Sequence, residues 1–209
     1  MYLISRGLRF ARGVVLSYGP TPLKKLFWDR EYDAGKWNFA YHSASDCVYE
    51  HLNHYAAGKS VLDLGCGQGN TANEMAPGYK KYLGVDISDE CLKKARQRSN
   101  DEGRGAVNSF EQGDFLTYAP ADKFDVILFR ESMYHVPIGK IKPMLDRLAK
   151  FLTPTGIFIV RLYLVGDGTK TLKRRPIAMM ELMERKFDLL HKSDYEEGGS
   201  RVLVFRPKK

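Results

Sequence analysis

A chain of 209 residues with 44% hydrophobic content can bury one full core, so a single main domain is the simplest count. No repeat, low-complexity linker or bilayer-length apolar run is present, which argues against a repeat array, a tethered tail or a spanning protein. The 33 basic residues outnumber the 25 acidic ones to give a formal charge of +8, and the three cysteines, Cys47, Cys66 and Cys91, lack C-x-x-C spacing; their odd number makes a reducing, cytoplasmic location the expectation.

In chain order, Arg6, Arg9, Arg12, Lys24 and Lys25 all precede the first acid, Asp29. Helical register gathers Leu3, Ile4, Leu8, Ala11, Val14 and Val15 roughly on one face with Arg6 and Arg9 off it, although Gly7 and Gly13 lower helix propensity. The stretch is too weakly apolar for a secretory leader. It reads either as a basic amphipathic helix on an anionic membrane or, more simply, as a helix that caps the site or folds onto the core. The aromatic-rich run from Trp28 to Trp37 follows, and Trp28, Tyr32 and Trp37 either plug one side of the core or touch a ligand. Residues 1–40 are therefore expected to form a basic, aromatic capping segment, and residues 41–209 the main domain. His42, His51 and His54 lack the H-E-x-x-H pattern, so no metal is expected.

Val61 to Asn70 reads V-L-D-L-G-C-G-Q-G-N, a buried parallel strand, then a turn at Gly65, Gly67 and Gly69, then polar residues that open a helix. Nucleotide-binding units use such glycines because a Cβ would collide with the cofactor, while the helix start offers free N–H groups. The dinucleotide fingerprint needs a glycine where this chain has Asn70, which disfavours a nicotinamide or flavin dinucleotide. Asp63 is badly placed for a pyrophosphate and well placed for a cationic amine. A cofactor with an amino-acid tail, a ribose and no phosphate fits that chemistry, and S-adenosylmethionine is the candidate.

Lys81 to Ser88 is an apolar strand ending in Asp86, where a doubly wound sheet presents an acid to ribose hydroxyls; the competing use is that Asp86 or Ser88 caps the next helix. A helix at Cys91–Arg96 and a polar loop from Ser99 to Gly105 lead to a third strand ending in Asp114 and Phe115. The fourth strand, Phe124–Phe129, delivers Arg130, Glu131, Ser132, Met133, Tyr134, His135 and Val136 to the same rim. Then come a helix over Ile141–Phe151, turn chemistry at Thr153–Gly156, a strand at Ile157–Val160 and a helix near Ile177–Leu182. Two closing strands, Phe187–His191 and Arg201–Phe205, are joined through Glu196-Glu197-Gly198-Gly199 and so should run antiparallel. Strands alternating with helices argue for a doubly wound α/β sheet, mostly parallel, with helices on both faces.

Taken together, these segments resemble the class I methyltransferases that use S-adenosylmethionine. The resemblance implies a Rossmann-like sheet of seven strands with an antiparallel last strand. It places Asp63 near the methionine amino group, Gly65, Cys66 and Gly67 under the cofactor, and Asp86 with Ile87 at the ribose. Asp114 would accept from the adenine amino group, Phe115 would pack on the ring, and Arg130 would complete the cofactor set. The W-x-x-x-Y-x-x-G pattern of Trp28, Tyr32 and Gly35 is similar to the N-terminal segment that folds over the cofactor in thiopurine and tellurite-resistance methyltransferases. Small-molecule members often carry a histidine where His135 stands, either as a general base for a hydroxyl or amine or as a loop-ordering residue; Glu131 and Tyr134 would face the acceptor beside it.

Lys170, Lys173, Arg174 and Arg175 should lie toward the same rim, as a solvated helix end, a site for an acidic small substrate or a nucleic-acid contact. The Asn/Asp-Pro-Pro-Tyr motif of base-amino methyltransferases is missing after the fourth strand, so nucleic acid is not expected. The leading expectation is methyl transfer to an oxygen or nitrogen of a small acceptor, an acidic one included. Its rivals are an RNA or protein methyltransferase on the same fold and a non-catalytic cofactor-binding module recruited to membranes; oligomeric state is left open.

Overall fold

The computed structural model describes residues 2–38, 43, 45–164, 170–195 and 199–208, with side chains of helical residues 2–9 and 170–174 outside the description. His42, the link at Glu196-Glu197-Gly198 and the side chains of Leu3, Ile4, Arg6, Leu8, Arg9, Lys170, Lys173 and Arg174 thus lie outside the described residues.

The sheet is built from β1 (Ser60–Leu64), β2 (Lys81–Asp86), β3 (Asn108–Gln112), β4 (Phe124–Arg130), β5 (Leu152–Tyr163), β6 (Asp188–Tyr195) and β7 (Ser200–Arg206). Their order is β3-β2-β1-β4-β5-β7-β6, parallel from β3 through β5, with β7 antiparallel to both β5 and β6. The expected doubly wound sheet with a reversed last strand is present.

Strand alternation explains why both faces are covered. Leu62, Leu64, Ile127, Phe129, Phe158 and Val160 point into one buried cluster with α6 (Ile138–Leu148) and α7 (Lys170–Lys186). Val61, Val126, Leu128, Ile157 and Ile159 point into the other, with α3 (Val48–Tyr55), α4 (Asn70–Glu74) and α5 (Asp89–Asp101). Each face thus receives an unbroken apolar layer, the condition for a parallel sheet to persist in water.

Local differences from the sequence expectation have physical causes. Thr153–Gly156 is not a free turn but a bulge inside β5, where Phe124 pairs with Leu152 and Val126 already pairs with Ile157. Thr153 Oγ1 donates to Asp125 Oδ1 there, which anchors the extra residues to β4. Helix α5 runs past the expected loop start at Ser99 because that hydroxyl is buried and bonded to Asn73 Oδ1. Its N-terminus has Ser88 accepting from the Cys91 N–H, with Asp89 and Glu90 in the first turn complementing the helix dipole.

The chain begins with α1 (Tyr2–Tyr18) and α2 (Thr21–Asp33). Gly7 and Gly13 do not break α1. Its orientation departs from expectation: Ala11 and Val14, on the expected packing face, are exposed, while Leu16 and Ser17 are buried.

Candidate active site

The ends of β1, β2, β3 and β4 meet where strand order reverses between β1 and β4, the crevice in which open α/β sheets bind ligands. A cavity of about 340 Å³ opens there. Its floor carries Asp63, Gly65, Cys66, Gly67, Asp86, Ile87, Asp114 and Phe115; Arg130 ends β4, and Glu131, Ser132, Tyr134, His135 and Val136 come from the loop beyond it. The N-terminal helices and the turn after them add Leu16, Lys24, Trp28, Tyr32 and Trp37. Every cofactor and acceptor residue expected from the sequence therefore lines one cavity.

The glycine turn is left-handed at three alternate positions, with φ of 82°, 54° and 74° at Gly65, Gly67 and Gly69, a conformation that only glycine adopts without strain. What each glycine makes room for is protein. A Cβ on Gly65 would overlap Ser132, whose hydroxyl donates to the Leu64 carbonyl at 2.6 Å. One on Gly67 would lie 3.0 Å from the Tyr32 hydroxyl, and one on Gly69 2.9 Å from Ala95 Cβ, where α5 packs. Steric relief around a ligand is thus only part of the reason for this motif here; close approach of the β4 loop, α2 and α5 is the rest.

The three acids differ in what they have left to offer. Asp63 Oδ2 accepts from the Tyr82 hydroxyl at 2.6 Å, while Oδ1 is buried without a hydrogen-bond partner. Burial pushes its carboxyl up to about 6 against the opposing effect of the neighbouring Tyr82 and Thr71 hydroxyls. An orphaned buried carboxylate oxygen on a cavity wall calls for a cation. Asp86 accepts from the Gly67 and Ser88 N–H groups at 3.0 Å each, so it clamps the glycine turn to β2 while keeping acceptor capacity for ribose hydroxyls. Burial raises its pKa, and those backbone bonds oppose the rise. Ser88, not Asp86, caps α5. Asp114 is the most committed: Thr21 Oγ1 and Lys24 Nζ donate to Oδ2 at 3.0 and 3.1 Å, and the Leu116 N–H to Oδ1 at 3.0 Å. It anchors α2 across the rim, with one acceptor position left from the four a carboxylate offers for an adenine amino group.

Arg130 is held by Asp46, with Nε donating at 3.0 Å, and its guanidinium lies over the Tyr49 ring at 5.3 Å. Asp46 also meets Arg161, whose Nε is 3.2 Å from Oδ1, and Arg161 in turn pairs with Glu131. This four-membered ion chain was not visible from sequence, although an arginine inside the apolar run of β5 signals a buried charge in need of partners. Burial acts to lower the Arg161 pKa, and the carboxylates of Glu131 and Asp46 more than offset it.

Glu131, with φ of 56°, is the non-glycine residue in the left-handed region among those described. Its carboxylate accepts from Arg161, from the Tyr134 hydroxyl at 2.6 Å and from the Tyr163 N–H at 2.7 Å. Burial and the Glu131 charge push the Tyr134 phenol pKa upward. Glu131 and Tyr134 therefore line the cavity but commit their polar atoms to one another, and act as the frame of the loop.

His135 sits on a single 3-10 turn, Met133–His135, with its ring edge against Trp28 at 5.7 Å. Burial, followed by the charges of Arg12 and Arg175, lowers its pKa to about 4, so it is neutral at pH 7. Trp28, Tyr32 and Trp37 form one cluster with centroids 5.6 to 6.3 Å apart, and Arg12 lies over Trp28 at 5.4 Å while its guanidinium pairs with Glu31. These aromatics roof the cavity, where they pack on one another and line its interior.

Sheet order, a switch-point cavity, acids at three consecutive strand ends and an orphaned acceptor for an amine define a Rossmann-like site for an adenosyl amino acid. A family described as methyltransferase domain matches residues 56–195, and the chain belongs to this family of class I, S-adenosylmethionine-dependent methyltransferases. The chain is similar to sterol 24-C-methyltransferase ERG6B of Gibberella zeae, 28% identical over 156 residues covering 70% of this chain and 40% of that protein. It is also similar to the ubiquinone biosynthesis O-methyltransferase of Thiobacillus denitrificans, 36% identical over 81 residues covering 39% of this chain and 35% of that one. The chain thus spans less than half the length of these relatives. In fold it is similar to N-methyltransferase NodS from Bradyrhizobium japonicum WM9 with S-adenosyl-L-homocysteine, at TM-score 0.67 and 18% identity over 88% of this chain and 98% of that one. A TehB-like methyltransferase from Corynebacterium glutamicum aligns at TM-score 0.62 and 19% identity over 86% and 98% of the two chains.

S-adenosylmethionine is the cofactor, and the residues present fit it. Asp63 Oδ1 would take the ammonium, Asp86 with Ile87 beside it the ribose, and Asp114 and Phe115 the adenine.

Proposed function

We propose that this protein moves the methyl group of S-adenosylmethionine to an oxygen or nitrogen of a small acceptor that carries an anionic group. The observation that carries the reading is one cavity in which the unpartnered Asp63 Oδ1 and the neutral His135 ring share walls. The cofactor supplies an already activated methyl group, so the protein has to orient the acceptor, exclude water and receive a proton. Leu16, Trp28, Leu116 and Val136 give the acceptor side apolar walls, and Glu131 with Tyr134 hold the loop that presents His135.

Support for an anionic group comes from Arg175. It donates to the Val136 carbonyl at 2.9 Å, its Nε is buried without a hydrogen-bond partner, and no acid pairs with it among the described residues. Arg175 is half-buried and stands behind the cavity-lining Val136, with its Nε sealed from water; a buried nitrogen without a partner is costly, and an acceptor carboxylate or phosphate that reached past Val136 would relieve that cost. The same anion would cancel part of the field that keeps His135 weakly basic, so the base would strengthen when its substrate is bound.

The test has two parts. Calorimetry should show binding of S-adenosyl-L-homocysteine, and its absence would remove the cofactor assignment. Turnover with paired phenols and amines, with and without a carboxylate, should favour the acids. Arg175→Gln should erase that preference by raising KM for the acidic member, while His135→Gln should lower kcat for both; equal turnover of acidic and neutral members by the native enzyme would defeat the anionic reading.

A further inference from the structure

Over its described half, helix α1 turns Phe10, Val14 and Tyr18 away from the protein. Phe10, Val14 and Tyr18 recur at intervals of four, which places them along one side of a helix. Phe10 is 76% exposed and Tyr18 68%. The side that packs inward carries Leu16, which lines the cavity, and Arg12, which pairs with Glu31. An isolated exposed phenylalanine needs no explanation, but α1 and α2 together hold five of the eleven large hydrophobic side chains exposed among the described residues, Leu23 and Leu26 being the others.

Charge bears on what could cover this face. The first 28 residues contain five arginines and lysines and no acid, in a chain of net charge +8; Arg12, Lys24 and Lys25 pair with acids of the fold, so the charge offered to a lipid is that of Arg6 and Arg9 together with the net excess. An apolar arc on a cationic helix fits an anionic lipid surface, with the arc at the acyl boundary and the cations among the headgroups. Helix α1 has 17 residues, and no described helix is long and apolar enough to cross a membrane, so the contact lies in the surface plane. We infer that α1 docks on anionic lipid through Phe10, Val14 and Tyr18. Because Leu16 on the same helix lines the cavity, docking sets the acceptor side against the bilayer boundary, where an amphiphilic acceptor would be found.

Co-sedimentation of the full chain with vesicles tests this directly, using phosphatidylcholine alone and phosphatidylcholine mixed with phosphatidylglycerol, at low and high salt. The protein should partition onto the mixed vesicles and be released by salt. The double variant Phe10→Ser, Tyr18→Ser should weaken partition about tenfold or more. Arg12, Lys24 and Lys25 are tied inward to Glu31, Asp114 and Asp29, so the charge test falls on Arg6→Gln and Arg9→Gln, each expected to cost about fivefold on mixed vesicles. Unchanged calorimetric affinity for S-adenosyl-L-homocysteine would show that the Phe10 and Tyr18 variants are folded, since neither residue lines the cavity. Failure to bind mixed vesicles, or equal binding to both compositions at all salts, would overturn the inference. So would a dimer, seen by light scattering, that the serine variants dissolve, since a second copy would then cover the face.

Discussion

The cavity has two sides built on different principles. On the side proposed for the cofactor, Asp63, Asp86 and Asp114 stand at the ends of adjacent strands, and left-handed glycines set the backbone between them. On the side proposed for the acceptor, the loop after β4 is held by an ion chain of Arg130, itself expected among the cofactor contacts, Asp46, Arg161 and Glu131, contributed by separated segments. The first keeps buried acceptor capacity available for a ligand; the second spends its polar groups on itself. Substitutions on the cofactor side should therefore cost affinity with the fold retained, and those on the acceptor side should cost stability with affinity retained.

The largest expected effect breaks the acceptor side. Arg161→Met leaves Asp46 and Glu131 without their shared cation and should lower unfolding free energy by about 3–5 kcal/mol in urea titrations, with S-adenosyl-L-homocysteine affinity of the folded protein preserved. A loss of affinity of the same size would show that the two sides are one unit. On the cofactor side, Asp86→Ala removes acceptors from the ribose and should weaken that ligand by about 1.5–3 kcal/mol in calorimetry; unchanged affinity would misplace the ribose.

Asp63→Asn sharpens the contrast because stability and affinity should move in opposite directions. With its carboxyl at about 6 rather than the ordinary 3.8, Asp63 takes up a proton on folding, so its stability contribution is full below pH 3.8 and lost as pH rises through 6. The amide should thus raise the melting temperature at pH 7, by roughly 1–3 kcal/mol of stability, while weakening the cofactor. In the native protein, cofactor affinity should fall as pH drops below 6, because the ammonium needs the ionised acid. The smallest effect is expected from Tyr134→Phe, about 1 kcal/mol of stability from the lost Glu131 bond, with cofactor affinity unmoved.

How much of this was legible varies along the chain. Val61–Leu64, Lys81–Asp86 and Phe124–Arg130 are short apolar runs flanked by turn residues, and each strand announced itself and the residue at its end. Thr153–Gly156 carried the signal of a turn and became a bulge, since bulge and turn use the same residues and only pairing with β4 tells them apart. Asp46 is 84 residues from Arg130, and Lys24 is 90 from Asp114; no periodicity records such pairings. Glu131 and Tyr134, expected from the sequence to face the acceptor, line the cavity, and the hydrogen bond between them was not legible in the sequence.

By itself the sequence determined the strand–helix alternation, the reversed closing strands, the glycine turn and the three acids at the strand ends. These follow from local rules of apolar patterning, backbone sterics and turn chemistry, which act within a few residues. Only tertiary structure decided which side of α1 faces the protein, which acid keeps a free oxygen and which charges cancel. Those outcomes depend on burial and on distances between residues far apart in the chain, and become defined only when the sheet brings them together.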